Sequence, residues 1–111
     1  MVRINSWAPG EMEIDNKAYF SDVVVWWDGT VENLALHRRL EIKDIHLFLG
    51  KKPEAVVIGS GARGDLRVSE TVKDVLRQMK IKLFIDLTDN AVDIFNGLVI
   101  DKRIVGVFHL L

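Results

Sequence analysis

Two uninterrupted apolar runs constrain the fold of this chain more than any other feature of its sequence. Residues 23–27 are three valines and two tryptophans, and residues 55–58 are an alanine followed by three β-branched residues. Runs of this kind are typical of strands that are covered on both faces of a sheet. The second run ends at Gly59, as expected for a buried parallel strand that leads into a turn.

Helical spacing of apolar residues recurs in three segments that alternate with predicted strands. The positions that define these helices are Ile42, Ile45 and Leu49, then Val72, Val75, Leu76 and Met79, and finally Ala91, Phe95 and Leu98. Ser69 is expected to cap the second helix, and Thr88 or Asp89 the third, because their side-chain oxygens can accept from free amides. Further strands are predicted over residues 81–85 and 104–108.

The N-terminal part of the chain has the pattern of strands and tight turns. Residues 11–15 alternate between acidic and apolar side chains, which predicts a half-exposed strand. Asp28 and Gly29 separate two strand-like runs, so we expect a hairpin over residues 27–30 with a type I′ turn. The whole order predicts an α/β fold with a mostly parallel sheet and helices on both faces. The N-terminal hairpins form an annex or an antiparallel extension of that sheet.

Composition excludes several classes of function. The chain has 111 residues, which predicts a single domain over residues 1–111, and its formal net charge is −1. This balance argues against binding to nucleic acid or to an anionic membrane. The absence of cysteine rules out disulfides, thiolate catalysis and cysteine metal sites. No run is long enough to span a membrane and no signal-peptide plan is evident, so we expect a cytoplasmic location.

A glycine-rich run follows the second apolar run. Residues 59–64 spell G-x-G-x-x-G, and Asp86 lies where a dinucleotide-binding protein would place its ribose-binding acid. However, residues 65–68 intervene before Ser69, so a pyrophosphate could not sit on the start of the helix as that motif requires. The alternatives are a sharp turn or a loop that binds a small anion through its amides and Arg63. The sequence favours the simpler explanation of Arg63, that it is an exposed arginine in a solvated loop.

The remaining polar residues form no recognisable catalytic or metal-binding pattern. His37, His46 and His109 lack the close spacing of zinc ligands, and we expect them to be structural or surface residues, with His46 on the apolar side of its helix. Ser60 lies between two glycines and does not match the nucleophile elbow G-x-S-x-G. The sequence therefore predicts no catalytic residue, no metal and no cofactor, and it does not favour an enzyme.

Four stretches together resemble a known family of small domains. They are Y-F-S-D-V-V-V-W-W at residues 19–27, V-V-I-G-S-G at 56–61, T-D-N-A-V-D-I-F-N-G-L at 88–98 and V-G-V-F-H at 105–109. The family was first described from a methanogen hypothetical protein, and its eukaryotic relatives include an adipogenesis-associated protein and a mitochondrial complex I assembly factor. The resemblance implies a three-layered fold with a central mixed sheet, helices on both faces and an extra β element. It brings no established enzymatic activity, and some members act as assembly or interaction factors. The positions that match family motif residues are Gly59, Gly61, Thr88, Ala91, Asn96 and His109.

Two functions follow as alternatives. The first is a non-catalytic module that binds a protein partner or assists assembly. Trp26 and Trp27 point to opposite faces of a strand, so one of them is a candidate for contact with that partner. The second is a site for a small anionic metabolite or a nucleotide, with or without a reaction. Its tentative ligand-binding residues are Gly59, Ser60, Gly61, Arg63, Gly64, Thr88, Asn96 and His109. The sequence leaves the choice between monomer and homodimer open.

Overall fold

The computed structural model describes residues 1–36 and 38–111, without the side chains of Leu47 and Phe48. The interpretation of His37 lies outside the described residues. The strands are β1 (Ile4–Ala8), β2 (Glu11–Ile14), β3 (Lys17–Tyr19), β4 (Val23–Trp26), β5 (Val31–Asn33), β6 (Arg39–Leu40), β7 (Ala55–Gly59), β8 (Arg67–Val68), β9 (Lys82–Asp86) and β10 (Ile104–Phe108). The helices are α1 (Ile42–Leu49), α2 (Glu70–Gln78) and α3 (Thr88–Leu98).

A five-stranded mixed sheet with the order β5-β4-β10-β7-β9 forms the centre of the molecule. Strand β10 is parallel to β7, and β7 is parallel to β9, whereas β4 is antiparallel to both β5 and β10. The mixed α/β fold is as predicted, but two of the four pairings are antiparallel, so a mostly parallel sheet is not confirmed. The reason is that the hairpin β4–β5 joins this sheet directly and lies against β10.

The side chains of the sheet divide into two core clusters according to the period of two along each strand. In β4, Val23 and Val25 belong to one cluster and Val24 and Trp26 to the other. The first cluster continues into α3 and the N-terminal strands, and the second into α1 and α2. The two apolar runs are therefore buried on both faces, as their composition predicts.

Strands β1, β2 and β3 form a separate antiparallel sheet, the extra β element expected at the N-terminus. Asp15 and Asn16 connect β2 to β3 with φ values of 47° and 67°. Two consecutive positive φ values in a two-residue loop are those of a type I′ turn. The alternating residues Met12 and Ile14 point their side chains into the core, where both are buried.

The hairpin between β4 and β5 exists as predicted, but its turn is of another type. Gly29 has a φ of 93°, and Asp28 does not take a positive φ. The Gly29 amide donates to the Trp26 carbonyl at 3.0 Å, which makes a type I turn followed by a glycine in the left-handed region. The Asp28 carboxylate accepts from the Thr30 amide at 2.9 Å, and this hydrogen bond holds the pKa of Asp28 below its ordinary value.

The three predicted helices are present, with corrections at their ends. Ser69 caps α2 by accepting from the Val72 amide at 3.2 Å, as expected. In contrast, the prediction that Thr88 or Asp89 caps α3 is wrong, because Leu87 occupies the cap position and makes no side-chain cap bond. Met79 is exposed because α2 ends there. His46 is also exposed, so its expected place on the apolar side of α1 is wrong.

No helix in the described ranges is long and apolar enough to cross a membrane.

Candidate functional site

The carboxyl ends of β7 and β9 define the crevice where α/β proteins usually bind ligands. The chain leaves β7 toward α2 and leaves β9 toward α3, and these helices belong to different core clusters. Such a divergence opens a crevice between neighbouring strand ends. Here hydrogen bonds close it, since the amide and the hydroxyl of Ser60 both donate to the Asp86 carbonyl, at 2.9 and 3.0 Å.

Thr88 connects the glycine loop to the chain after β10. It is fully buried, and its Oγ1 accepts from the Gly61 amide at 2.8 Å and donates to the His109 carbonyl at 2.7 Å. The Thr88 amide in turn donates to the Gly61 carbonyl at 3.1 Å. One side chain therefore fastens the ends of three strands together, and this use of Thr88 replaces the capping role that the sequence suggests.

Close packing explains two of the glycines. A Cβ on Gly59 would lie 2.9 Å from Thr88 Oγ1 and 2.9 Å from Phe108 Cδ1. Gly61 has a φ of 102°, and a Cβ there would lie 2.8 Å from the Cδ2 atom of His109. The glycine run is thus needed for packing and turning, which is the simpler of the two interpretations given above.

The geometry leaves few amides for an anion in this loop. The amides of Ser60, Gly61 and Ala62 all donate within the protein, the last to the Leu111 carbonyl at 3.2 Å. Arg63 and Gly64 lie at the exposed tip of the loop. Asp86, the expected ribose-binding acid, accepts from the Leu87 amide and the Asn90 side chain. A cradle built from the amides of Ser60, Gly61 and Ala62 would have to break bonds that hold the strand ends.

Asn96 does not belong to this cluster. It lies eight residues beyond Thr88 on α3, which corresponds to about 12 Å along the helix axis. Its side chain makes a paired contact with β1, since Oδ1 accepts from the Ile4 amide and Nδ2 donates to the Ile4 carbonyl, both at 2.9 Å. Asn96 therefore fastens the N-terminal sheet to α3.

Replacement of Asn96 by leucine is expected to lower the free energy of unfolding by about 1–3 kcal/mol, because both polar groups of Ile4 lose their partner in a partly buried place. Amide hydrogen exchange in β1 and β2 should accelerate more than exchange in β7. The control is Asp93→Leu on the exposed side of the same helix, which should change stability by less than about 0.5 kcal/mol. Equal effects of the two variants would contradict this role.

Asp22, which lies in the 19–27 stretch but is not among the candidate site residues, forms a partly buried polar pair with His109. Its Oδ2 lies 3.0 Å from His109 Nδ1, and its Oδ1 accepts from the Leu110 amide at 2.8 Å. Asp22 and His109 meet because β4 and β10 are antiparallel. Val23 lies opposite Phe108, so the residue before Val23 lies beside the residue after Phe108. The carboxylate holds Nδ1 and so fixes the orientation of the imidazole ring.

His109 and Asp22 line a cleft of about 370 Å³ beside the last residues of the chain. Phe20 and Leu111 line the same cleft and are 72% and 66% exposed. Trp26 is buried, and Trp27 is half-buried with its ring 5.9 Å from that of Trp26 in an edge-to-face arrangement. The most exposed aromatic residue of the site is therefore Phe20, whereas the sequence pointed to one of the tryptophans.

The described residues contain no group of three or more histidine, aspartate and glutamate side chains that could hold a metal ion. Of the tentative ligand residues, the structure brings together Gly59, Ser60, Gly61, Thr88 and His109. Gly64 lies beside Ser60 at the exposed tip of the loop, since a Cβ on it would be 3.7 Å from Ser60 Oγ, and Arg63 precedes it at that tip. Asn96 lies apart, against β1.

A family model described as a protein of unknown function, DUF498/DUF598, matches residues 4–110. No curated protein matches the sequence.

Solved structures show the same fold over nearly the whole chain. A conserved hypothetical protein, PH1505 from Pyrococcus horikoshii OT3, aligns with a TM-score of 0.89 and 20% identity, covering 97% of this chain and 98% of that one. A protein named MT938 aligns with a TM-score of 0.83 and 20% identity over 99% and 98% of the two chains. A protein described as an outer membrane protein from Bartonella henselae aligns with a TM-score of 0.84 and 19% identity over 98% and 94%. At such identities the likeness extends to the fold alone.

Proposed function

The chain belongs to the DUF498/DUF598 family of proteins of unknown function, and we propose that it is a non-catalytic module that binds a protein partner. The proposal includes an assembly-factor role like that implied by the family resemblance, and a cytoplasmic location. It also takes the domain as three-layered, an interpretation that the two core clusters on opposite sides of the central sheet support.

The observation that carries the proposal is the contrast between the two candidate recesses. Hydrogen bonds of Ser60 and Thr88 hold the chain segments together across the crevice at the ends of β7 and β9. The cleft beside His109 is open and has two exposed apolar side chains, Phe20 and Leu111, at its edge. Exposed aromatic residues next to a fixed polar group are typical of contact points in protein interfaces.

The cleft suits an apolar side chain from an extended segment of the partner. Phe20 and Leu111 would cover that side chain on both sides. They would exclude water from it, as the contacts around the centre of a protein interface do. His109 Nε2 would exchange a hydrogen bond with a polar group of the partner segment, since Asp22 already holds Nδ1. The partly buried Asp22–His109 pair would thus orient the partner segment, and the apolar residues would supply most of the affinity.

Affinity capture from native lysate with a Phe20→Ser variant tests this function. We expect recovery of a specific partner to fall about 10-fold or more relative to the wild-type chain, because an aromatic anchor carries a large share of interface energy. The matched control is Ile100→Ser, since Ile100 is also highly exposed, at 62%, and does not line the cleft.

Both variants must first show the melting temperature of the wild-type chain, so that loss of folding is not mistaken for loss of binding. A partner that Phe20→Ser recovers as well as wild type, or that Ile100→Ser loses to the same degree, would contradict the assignment of this cleft.

A further inference from the structure

A second recess lies at the opposite end of the parallel strands from the glycine loop. It has a volume of about 350 Å³ and lies among the start of β7, the start of β9 and the end of α3. We refer to it as the lysine pocket, because Lys80, Lys82 and Lys102 line it around the partly buried side chains of Phe84 and Leu98. None of these residues belongs to the cleft beside His109.

The three lysines come from two places in the chain, Lys80 and Lys82 at the start of β9 and Lys102 between α3 and β10, and their backbones are fixed. Lys80 follows α2 in a left-handed conformation with a φ of 59°, and the next amide, that of Ile81, donates to the Leu76 carbonyl at 2.9 Å. The Lys82 amide donates to the Glu54 carbonyl at 3.3 Å, and the Lys102 amide to the Leu98 carbonyl at 3.1 Å. The folded chain therefore holds the roots of all three side chains in place before any ligand arrives.

The charges around the pocket are not balanced. Within the described ranges, none of the three lysines makes an ion pair shorter than 4.0 Å. The carboxylate of the pocket, Glu54, accepts from the Arg103 amide at 2.7 Å and faces the Arg103 guanidinium at 4.0 Å. Lys52 and Arg103 line the adjoining groove, so five cations surround one engaged carboxylate in a chain whose net charge is −1. Concentrated charge of one sign in a recess attracts ligands of the opposite sign.

The floor of the pocket is apolar, in contrast to the charged lysines around it. Phe84 and Leu98 pack against the core cluster formed with α3, and each keeps part of its side chain accessible. An inorganic anion alone would leave this apolar surface unused. A ligand with an apolar body and an anionic group could bury the body on Phe84 and Leu98 and place its charge among the lysines.

From this combination we infer that the lysine pocket is a binding site for a small amphipathic anion, a carboxylate or phosphate attached to an aromatic or aliphatic body. The site is independent of the protein-binding cleft proposed above, because the two recesses share no residue. Its volume lies at the lower end of the range for small-molecule pockets, about 300–1,000 Å³, which favours one ring or a short acyl chain over a dinucleotide.

Titration of the isotopically labelled chain with four probes, followed by amide chemical shifts, tests this inference. Phenyl phosphate and benzoate carry the same ring on two anionic groups and so distinguish phosphate from carboxylate ligands. Inorganic phosphate lacks the apolar body, and benzyl alcohol lacks the charge. We expect shifts at Lys82, Phe84 and Leu98 with at least one of the first two probes, and a Kd at least about 10-fold weaker for both of the others.

A double variant, Lys82→Gln with Lys102→Gln, should raise the Kd of the better anionic probe about 10-fold or more, because two charge-assisted contacts are lost. The matched control is Lys17→Gln with Lys43→Gln, which removes the same charge from two exposed lysines outside the pocket. Rising salt should weaken binding to the wild-type chain, since the lysines are exposed. The inference is overturned if no anionic probe shifts the pocket, if inorganic phosphate or benzyl alcohol binds as tightly as the better anionic probe, or if the two double variants behave alike.

Discussion

Replacement of Thr88 by valine is expected to lower the free energy of unfolding by about 2–4 kcal/mol, although valine has nearly the same shape as threonine. The hydroxyl is fully buried and serves two partners, the Gly61 amide at 2.8 Å and the His109 carbonyl at 2.7 Å. Valine removes both hydrogen bonds and leaves a buried amide without an acceptor. That unmet amide costs about 1–3 kcal/mol by itself, and the carbonyl adds to the loss.

Urea denaturation of Thr88→Val, compared with Thr88→Ser, measures the effect. Serine keeps the hydroxyl and deletes a methyl group, so its loss should be about 1 kcal/mol. A serine variant that is less stable than the valine variant would show that Thr88 acts through its methyl contacts, and would contradict the bridging role. The expected order separates hydrogen bonding from packing at one position without changing the length of the helix.

The sequence predicted the elements well where local physics decides them. The apolar runs at β4 and β7 are buried on both faces, as β-branched residues without polar interruption require. The Ser69 cap and the apolar spacing of α2 depend on residues within one or two helical turns. These local preferences agree with the final structure because the tertiary contacts favour the same strands and helices.

The site was harder to predict because its partners are distant in sequence. Thr88 has the features of a helix cap, and only the position of Gly61 and His109 shows that its hydroxyl turns away from the helix. Asp22 and His109 are separated by 87 residues, and their contact depends on the pairing of β4 with β10. Without that pairing a lone aspartate before a strand predicts nothing specific.

The contact of Asn96 could not be predicted from the sequence either. The motif position suggested a common site with the glycine loop, but its side chain bonds the backbone of Ile4, 92 residues away. A backbone amide and carbonyl can belong to any residue type, so no feature of the partner's sequence could reveal the contact. Residues that belong to the same family motif can therefore stabilise different contacts between elements of the fold.

Replacement of Gly61 by alanine is expected to have an effect of similar size through strain and crowding, about 2–5 kcal/mol in the free energy of unfolding. Its φ of 102° is unfavourable for any residue with a Cβ. The added atom would also lie 2.8 Å from His109 Cδ2 and 3.2 Å from the carbonyl carbon of Leu111, which belongs to the backbone. Neither neighbour can withdraw without moving the imidazole from Asp22 or the chain end from Ala62.

The control for this variant is Gly97→Ala. Gly97 lies in α3, and a Cβ added there would meet no atom of the described residues within 4 Å beyond its own helix backbone and chain neighbours. Alanine at this position should therefore raise stability by about 0.5–1 kcal/mol through helix propensity. If Gly61→Ala lowers the free energy of unfolding and Gly97→Ala raises it, the loss at Gly61 comes from its backbone conformation and close packing. It is then not a general effect of adding a methyl group.

The clash at Gly61 includes the His109 ring, so the Gly61→Ala variant should also shift the His109 side-chain resonances. Nuclear magnetic resonance of the imidazole measures this effect. A Gly61→Ala chain of wild-type stability with an undisturbed His109 would show that the glycine loop does not support the His109 ring.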